Sequence, residues 1–269
     1  MEREVFEQAS SAAIMNEHFI CIKVDREEHP HIDAAYMDAV HVMGRQGGWP
    51  LNVVTTCEGI PVFGGTYFPK HIWEKTLLDV HSIHAQRPEE LMQYANHMKE
   101  ALNEWYRKRG GEAHDMQSLF EDALMGWMRK WDHHYGGDQR APKFPMPDEY
   151  LLLLAAAHQE NGEAYTQQLN RTLHRIYAGG IFDAVGGGLC RYSVDERWHI
   201  PHFEKMLYDN ANMLMIFARA AQVTREIEFK WAADDIYDWL RREMRLENGL
   251  YAASLDADAD GVEGLYYAW

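Results

Sequence analysis

The stretch Gly179–Asn212 reads GGIFDAVGGGLCRYSVDERWHIPHFEKMLYDNAN and follows neither a helical nor a strand period. It combines consecutive glycines at 186–188 with acids, bases, histidines and aromatics. Core elements are built on repeating apolar positions. A segment this mixed reads instead as the lining of a site. Gly186, Gly187 and Gly188 permit sharp reversals or close approach of backbone to a ligand. Nothing around them has the strand–GxGxxG–helix form of a phosphate cradle.

On both sides the spacing predicts long amphipathic helices with no alternating strands. They are expected at Met116–Trp131, Asp148–Glu160, Glu163–Gly180, Phe203–Gln222 and Glu226–Met244, with Pro201 opening the fourth. Such helices suggest hairpins packed side by side in one domain over 115–269. RKRGGE at 107–112 is charged and glycine-bearing and marks the boundary. At the far end, Leu250–Ser254 and Leu265–Trp269 are expected to pair as a hairpin around an acidic loop. DADADG at 256–261 matches the first half of a calcium loop. Its twelfth position is Tyr267 rather than a bidentate acid, and its flanks are strand-like, so a calcium hand is not expected.

The region 1–109 alternates element types. Residues 2–16 are helical in pattern. FICIKVDR, Phe19–Arg26, alternates as a strand does, and the run from His31 is helical up to Gly44. Leu51–Thr56 and Pro61–Phe63 read as two strands joined at CEGI, and 71–107 returns to helical spacing. His29 and His31 bracket Pro30 without a third ligand nearby, so no metal is expected there.

The chain has 42 Asp and Glu against 26 Lys and Arg, a formal charge of −16. With no basic stripe, nucleic acid is not expected as a partner. No run of about 18 apolar residues is present, so no membrane span is expected. The start, MEREVFEQASS, has no apolar signal segment. Cys21, Cys57 and Cys190 are few, odd in number and widely spaced. They argue against a disulfide framework and fit a reducing cytoplasm.

Several side chains in and around the mixed stretch are candidates for chemistry. His202 can move protons near neutral pH, and Glu204 can act as acid or base when partly buried. In a helix's first turn Glu204 would equally serve the helix dipole. Lys205 and Asp209 are candidate ligand contacts, or an i,i+4 pair. Arg191, Tyr192, Glu196 and Trp198 combine a stacking face with hydrogen-bonding groups, as a sugar site requires. The Asp195–Arg197 cluster reads equally as structural ion pairs. In APKFP, Ala141–Pro145, the prolines hold Lys143 in a rigid loop, as a ligand-facing cation or a surface lysine. Asp256 and Asp258 are candidates for a further carboxylate, because two-carboxylate hydrolysis needs an acid across the cleft.

KFP, GGG, RYSVDERW and HFEKMLYDN together resemble the spermatogenesis-associated, thioredoxin-domain protein family. The resemblance covers essentially the whole chain. It implies an α+β architecture: a thioredoxin-like domain followed by part of an (α/α) toroid of the six-hairpin glycosidase and sugar 2-epimerase type. The Asp256–Gly261 segment resembles the family's SLDADSEG loop at the toroid mouth. The chain reads as truncated at both ends, lacking the first strand and the CxxC that in the family sits ahead of a stretch like MERESFE. The domain as given should therefore lack dithiol–disulfide activity, which needs a low-pKa thiol at a helix start. Pro50 takes the place of the proline with a cis bond that borders the redox site, which makes Trp49 and Pro50 that border.

The implied function is carbohydrate-directed chemistry in the helical domain, an isomerase or hydrolase in the intact parent, with His202 and Glu204 central. The alternative is a non-catalytic thioredoxin-like binding or chaperone-type module, with thiol redox activity only in a parent carrying CxxC. No cofactor or metal is implied. The implied partner is a carbohydrate-like small molecule.

Overall fold

The structure is a computed structural model and describes residues 1–108, 115–157, 159 and 162–267. The chain divides into two compact units, Met1–Ala113 and His114–Trp269. The expected boundary at 107–112 falls largely outside the described residues.

The first unit opens with a π-helical turn, Glu2–Phe6, followed by α1 (Ala9–His18) and α2 (Pro30–Val42). Pro30 starts α2, where its missing N–H is no loss. Gly44, at φ +73°, supplies the left-handed residue that ends it. Strands β1 (Asn52–Thr55) and β2 (Pro61–Gly65) form an antiparallel hairpin with Val53 opposite Gly64 and Val54 opposite Phe63. The Trp49–Pro50 peptide before it is cis. The expected helical run 71–107 is two helices, α3 (Lys70–Gln86) and α4 (Pro88–Lys108), because Pro88 forces a new start. Val5, Trp73 and Leu77 form a core cluster, with Ile14, Phe19 and Phe68 packed against it.

One expectation fails here. Phe19–Arg26 is not a strand. Its alternation is real, but a strand exists by pairing. The only sheet described in this unit is the two-stranded β1–β2 hairpin. Ile20 and Ile22 are left 94% and 79% exposed.

The second unit is helical, and the five helices read from spacing are all present. Asp115 caps α5 (Met116–Met128) by accepting the Ser118 N–H. Pro147 opens α6 (Pro147–Ala156), and α7 (Gly162–Tyr177) buries Tyr165, Leu169, Thr172, Leu173 and Ile176 at helical spacing. Three two-residue strands follow: β3 (Tyr192–Ser193), β4 (Pro201–His202) and β5 (Lys205–Met206). Then come α8 (Leu207–Thr224), α9 (Ile227–Trp239), a π-helical turn at Leu240–Met244, β6 (Ser254–Leu255), β7 (Asp258–Ala259) and β8 (Val262–Glu263). Helices α6 and α8 pack on each other, α7 touches both, and α9 lies along α8. Leu153, Leu169, Ile176, Phe217, Phe229 and Trp239 fill the space between them.

Two boundaries differ from the sequence reading. Helix α8 begins at Leu207, not Phe203, and Pro201 opens no helix. Residues 201–206 are held extended from both sides, β4 by β3 and β5 by β6. The terminal hairpin also has other partners. Ser254–Leu255 pairs with Lys205–Met206, while β7 and β8 pair with each other. Their turn is Asp260–Gly261, both at positive φ, the Asp-Gly signature of a two-residue hairpin. The second arm expected from the sequence, Leu265–Trp269, lies partly outside the described residues, at 268–269.

Candidate functional site

The β3–β4 ladder sets Tyr192 directly opposite His202. Cross-strand partners share a face, and the two rings stack with centroids 4.8 Å apart and planes 23° apart. Phe144, from the KFP motif, lies 4.6 Å from Tyr192 on the same aromatic line. The Nδ1 atom of His202 is 2.6 Å from Glu263 Oε1. That contact favours the tautomer with its proton on Nδ1, and leaves Nε2 as the acceptor.

Beside this line Arg191 donates from Nη1 to Glu204 Oε2 at 2.8 Å, and its backbone N–H donates to the Glu204 carbonyl at 2.8 Å. The guanidinium lies 6.0 Å from the Tyr208 ring centroid. Burial works against the Arg191 charge. The Glu204 bond, with the fields of Tyr208, Glu204 and Asp209, outweighs it and raises the pKa. The Tyr192 hydroxyl is also pushed up, first by burial and then by Glu263 and Glu204, against the pull of Arg191. It therefore stays a hydrogen-bond donor at neutral pH. Asp258 is the cross-strand partner of Glu263 on the β7–β8 hairpin and shares its face.

The structure thus gathers Arg191, Tyr192, His202 and Glu204, with Asp209 and Asp258 nearby. Sequence reasoning missed Glu263 and Phe144. The signal for Glu263 was the Asp-Gly turn, which folds Glu263 back beside Asp258.

The other candidates stand elsewhere, and each has a physical reason. Trp198 is fully buried, donating from Nε1 to the Tyr135 carbonyl at 2.9 Å, so its indole cannot stack on a ligand. Lys143 and Lys205 are 1% and 0% exposed and are not ligand contacts. Lys143 Nζ donates to Asp132 and to the Gly136 carbonyl, and Lys205 Nζ to Asp183 and the Gly187 carbonyl. Lys205 therefore does not pair with Asp209. Glu196 is exposed on the loop organised by Asp195, 3.9 Å from Arg197. Asp195 accepts the backbone N–H groups of Arg197 and Ile200, and not an Arg197 side-chain bond. Asp256 accepts the Asp258 N–H and turns its own loop. Glu204 lies before α8 rather than in its first turn, so it does not serve that helix's dipole.

In the first unit, Trp49 is 53% exposed, donates from Nε1 to Asp33 at 2.9 Å and lies under Arg26, whose guanidinium is 4.0 Å from a ring centroid. Cys21 and Cys57 are exposed and unpaired with each other, and Cys190 is buried. Burial raises the Cys21 thiol and pushes Cys190 up to about 11, away from reactive thiolates. Among the described residues no group of three His, Cys, Asp or Glu side chains is placed to hold a metal ion. No helix among them is long and apolar enough to cross a membrane.

Residues 1–103 match a thioredoxin family model described as a protein of unknown function, DUF255. Along its whole length the chain is 35% identical to an uncharacterised protein of Caenorhabditis elegans. It is 34% and 32% identical to spermatogenesis-associated protein 20 of Mus musculus and Homo sapiens. Along its whole length the chain is thus similar to these relatives, and its first 103 residues match the thioredoxin family model. It spans 39%, 36% and 37% of the length of those three relatives. Among solved structures, cellobiose 2-epimerase from Bacillus thermoamylovorans aligns at TM-score 0.44 and 19% identity, over 52% of this chain and 40% of that one. The cellobiose 2-epimerase of Spirochaeta thermophila aligns at TM-score 0.45 and 20% identity, over 52% and 39%.

Proposed function

We propose that the second unit binds a neutral, hydroxyl-rich small molecule of the carbohydrate class at the Tyr192–His202 face. The observation that carries this reading is the aromatic line Phe144–Tyr192–His202, flanked by the Arg191–Glu204 pair and the His202–Glu263 pair. The rings at the ends of this line can accept the C–H face of a sugar, and charged donors and acceptors beside them take its hydroxyls. In this reading His202 is the proton-transfer group through Nε2, oriented by Glu263 at Nδ1. Glu204 is the second carboxylate, held in place by Arg191. Isomerase and hydrolase chemistry both use such a proton-transfer group and carboxylate.

The test is calorimetric titration of the chain with cellobiose and with mannose. Binding that weakens at least about tenfold in Tyr192→Ala and in Glu204→Gln, with unchanged circular dichroism, supports the site. No heat from either sugar with the wild-type chain, or binding untouched by both substitutions, contradicts it.

A second reading applies to the first unit. Neither exposed cysteine has a partner thiol, and Trp49 is held outward by Asp33 and Arg26. These features support a non-catalytic binding module rather than a dithiol oxidoreductase.

A further inference from the structure

The loop after α5 and the loop after α7 are two copies of one device. Asp132 Oδ1 accepts the N–H groups of His134 and Tyr135, both at 2.8 Å. Asp183 Oδ1 accepts those of Val185 and Gly186 at 3.0 and 2.8 Å. Gly136 N–H returns to the Asp132 carbonyl at 2.9 Å, and Gly187 N–H to that of Asp183 at 2.8 Å. The aspartate N–H groups close the loops onto Gly137 and Gly188 carbonyls, at 2.8 and 3.0 Å. All four glycines have positive φ, between 64° and 81°.

The second oxygen of each aspartate takes a buried lysine. Lys143 is 2.8 Å from Asp132 and 2.9 Å from the Gly136 carbonyl. Lys205 is 2.8 Å from Asp183 and 2.9 Å from the Gly187 carbonyl. An indole covers each ammonium, Trp198 at 5.2 Å and Trp239 at 5.1 Å. The same indoles lie on the glycines, so a Cβ would stand 2.7 Å from Trp198 at Gly137 and 2.6 Å from Trp239 at Gly188.

Each lysine also pairs through its backbone with the next part of the chain. Lys143 and Ser193 exchange N–H to carbonyl bonds of 2.8 and 2.9 Å, which ties down β3 and therefore Tyr192 and Arg191. Lys205 pairs with Leu255 in the β5–β6 ladder, just ahead of the hairpin that carries Glu263. We infer that Asp132–Lys143 and Asp183–Lys205 are duplicated positioning pairs, each fixing the backbone on which the next wall of the site stands. Arg140 and Arg191 both lie three residues after the second glycine, and Pro142 and Glu204 both precede the lysine. The second copy alone can therefore form the Arg–Glu pair, because Pro142 has no carboxylate. The walls' importance for a ligand rests on the carbohydrate reading, but the two pairs as backbone locks do not.

The test is amide hydrogen exchange on the full chain, comparing Lys143→Met with Lys205→Met. Lys143→Met should speed exchange at Ser193 by about tenfold or more and leave Leu207, which donates to the Ala253 carbonyl, near wild type. Lys205→Met should do the reverse. Equal acceleration at both amides in both variants would reduce the pairs to general core stability and overturn the inference, as would no change at either amide. If a methionine variant does not fold, Asp132→Asn and Asp183→Asn, which keep an acceptor oxygen, decide by the same pattern. Cellobiose titration of Lys205→Met adds a separate readout. A wild-type chain that ignores both cellobiose and mannose sinks the sugar site, while the exchange pattern still decides the locks.

Discussion

Asn210→Ala should cost the second unit about 3 kcal/mol, as two backbone groups orphaned at about 1–3 kcal/mol each. Asn210 is fully buried on the first turn of α8. Its Oδ1 accepts the Leu189 N–H at 2.6 Å, and its Nδ2 donates to the Leu189 carbonyl at 3.0 Å and the Met206 carbonyl at 2.9 Å. One side chain thus does for Leu189 what a neighbouring strand would do. It joins the glycine loop to the start of α8. Alanine leaves the Leu189 N–H and carbonyl without partners in a site closed to water. Asn210→Asp should cost more. It keeps an acceptor for the N–H but sets a buried carboxylate against two carbonyl oxygens. Scanning calorimetry of wild type and both variants supplies the comparison, with urea titration for the free energies. An Asn210→Ala protein within about 0.5 kcal/mol of wild type would show that Leu189 does not depend on Asn210, since that is the scatter of an ordinary surface change.

Asp132, Asp183 and Asp195 should make the second unit acid-sensitive. Burial pushes Asp132 and Asp183 up, but their lysine and backbone bonds win; the backbone bonds of Asp195 do the same, so all three are lowered. Their stabilisation is complete above the unfolded-state pKa of about 3.9 and is lost as pH falls through the lower folded values. An acid titration of Asp183→Asn should show a shallower loss in that window. Glu149 has the opposite sign, because burial, with Asp138, raises it to about 7. Its protonated form stabilises the fold fully below about pH 4.3, and that gain is lost as pH rises through about 7. Glu149→Gln should therefore gain thermal stability over wild type at pH 8 but not at pH 4. Gly188→Ala, with φ +79° and Trp239 in the way, should destabilise by about 2 kcal/mol or more. Gly126→Ala, inside α5 with nothing within 4 Å, should stabilise by about 0.5–1 kcal/mol. Denaturant midpoints decide both. The chain should not reduce insulin disulfides in a turbidity assay, and turnover abolished by Cys57→Ser would show a thiol chemistry that the exposed single cysteines do not suggest.

The helices of the second unit were legible because α7 and α8 carry their apolar residues at helical spacing, a local property that packing only reinforces. The hairpin around Ile60 was legible for the same reason, from strand-like runs on either side of a glycine turn. Residues 201–206 were not, since their strands exist only through partners at 192–193 and 254–255. The grouping of the candidate residues was legible in part. Tyr192, His202, Glu204 and Arg191 are neighbours in sequence and remain neighbours in space. Glu263 arrives through a distant hairpin, and no local pattern assigns it to His202. Lys143, Lys205 and Trp198 were misplaced because residue type alone does not separate a ligand-facing cation or indole from one turned inward. The repeated Asp-x-x-x-Gly-Gly spacing at 132–137 and 183–188 was the sequence signal that could have separated them.

Carbohydrate binding at the Tyr192–His202 face, as proposed, should be visible at His202 itself. Its most direct measurement is the ring proton spectrum of His202, assigned by loss of its signal in His202→Gln, during titration with cellobiose. The His202 ring signals should move saturably, with movement greatly reduced in Tyr192→Ala. His202 signals that stay fixed while the sugar is raised to tens of millimolar, a range covering even weak binding of about 1 mM, would contradict it.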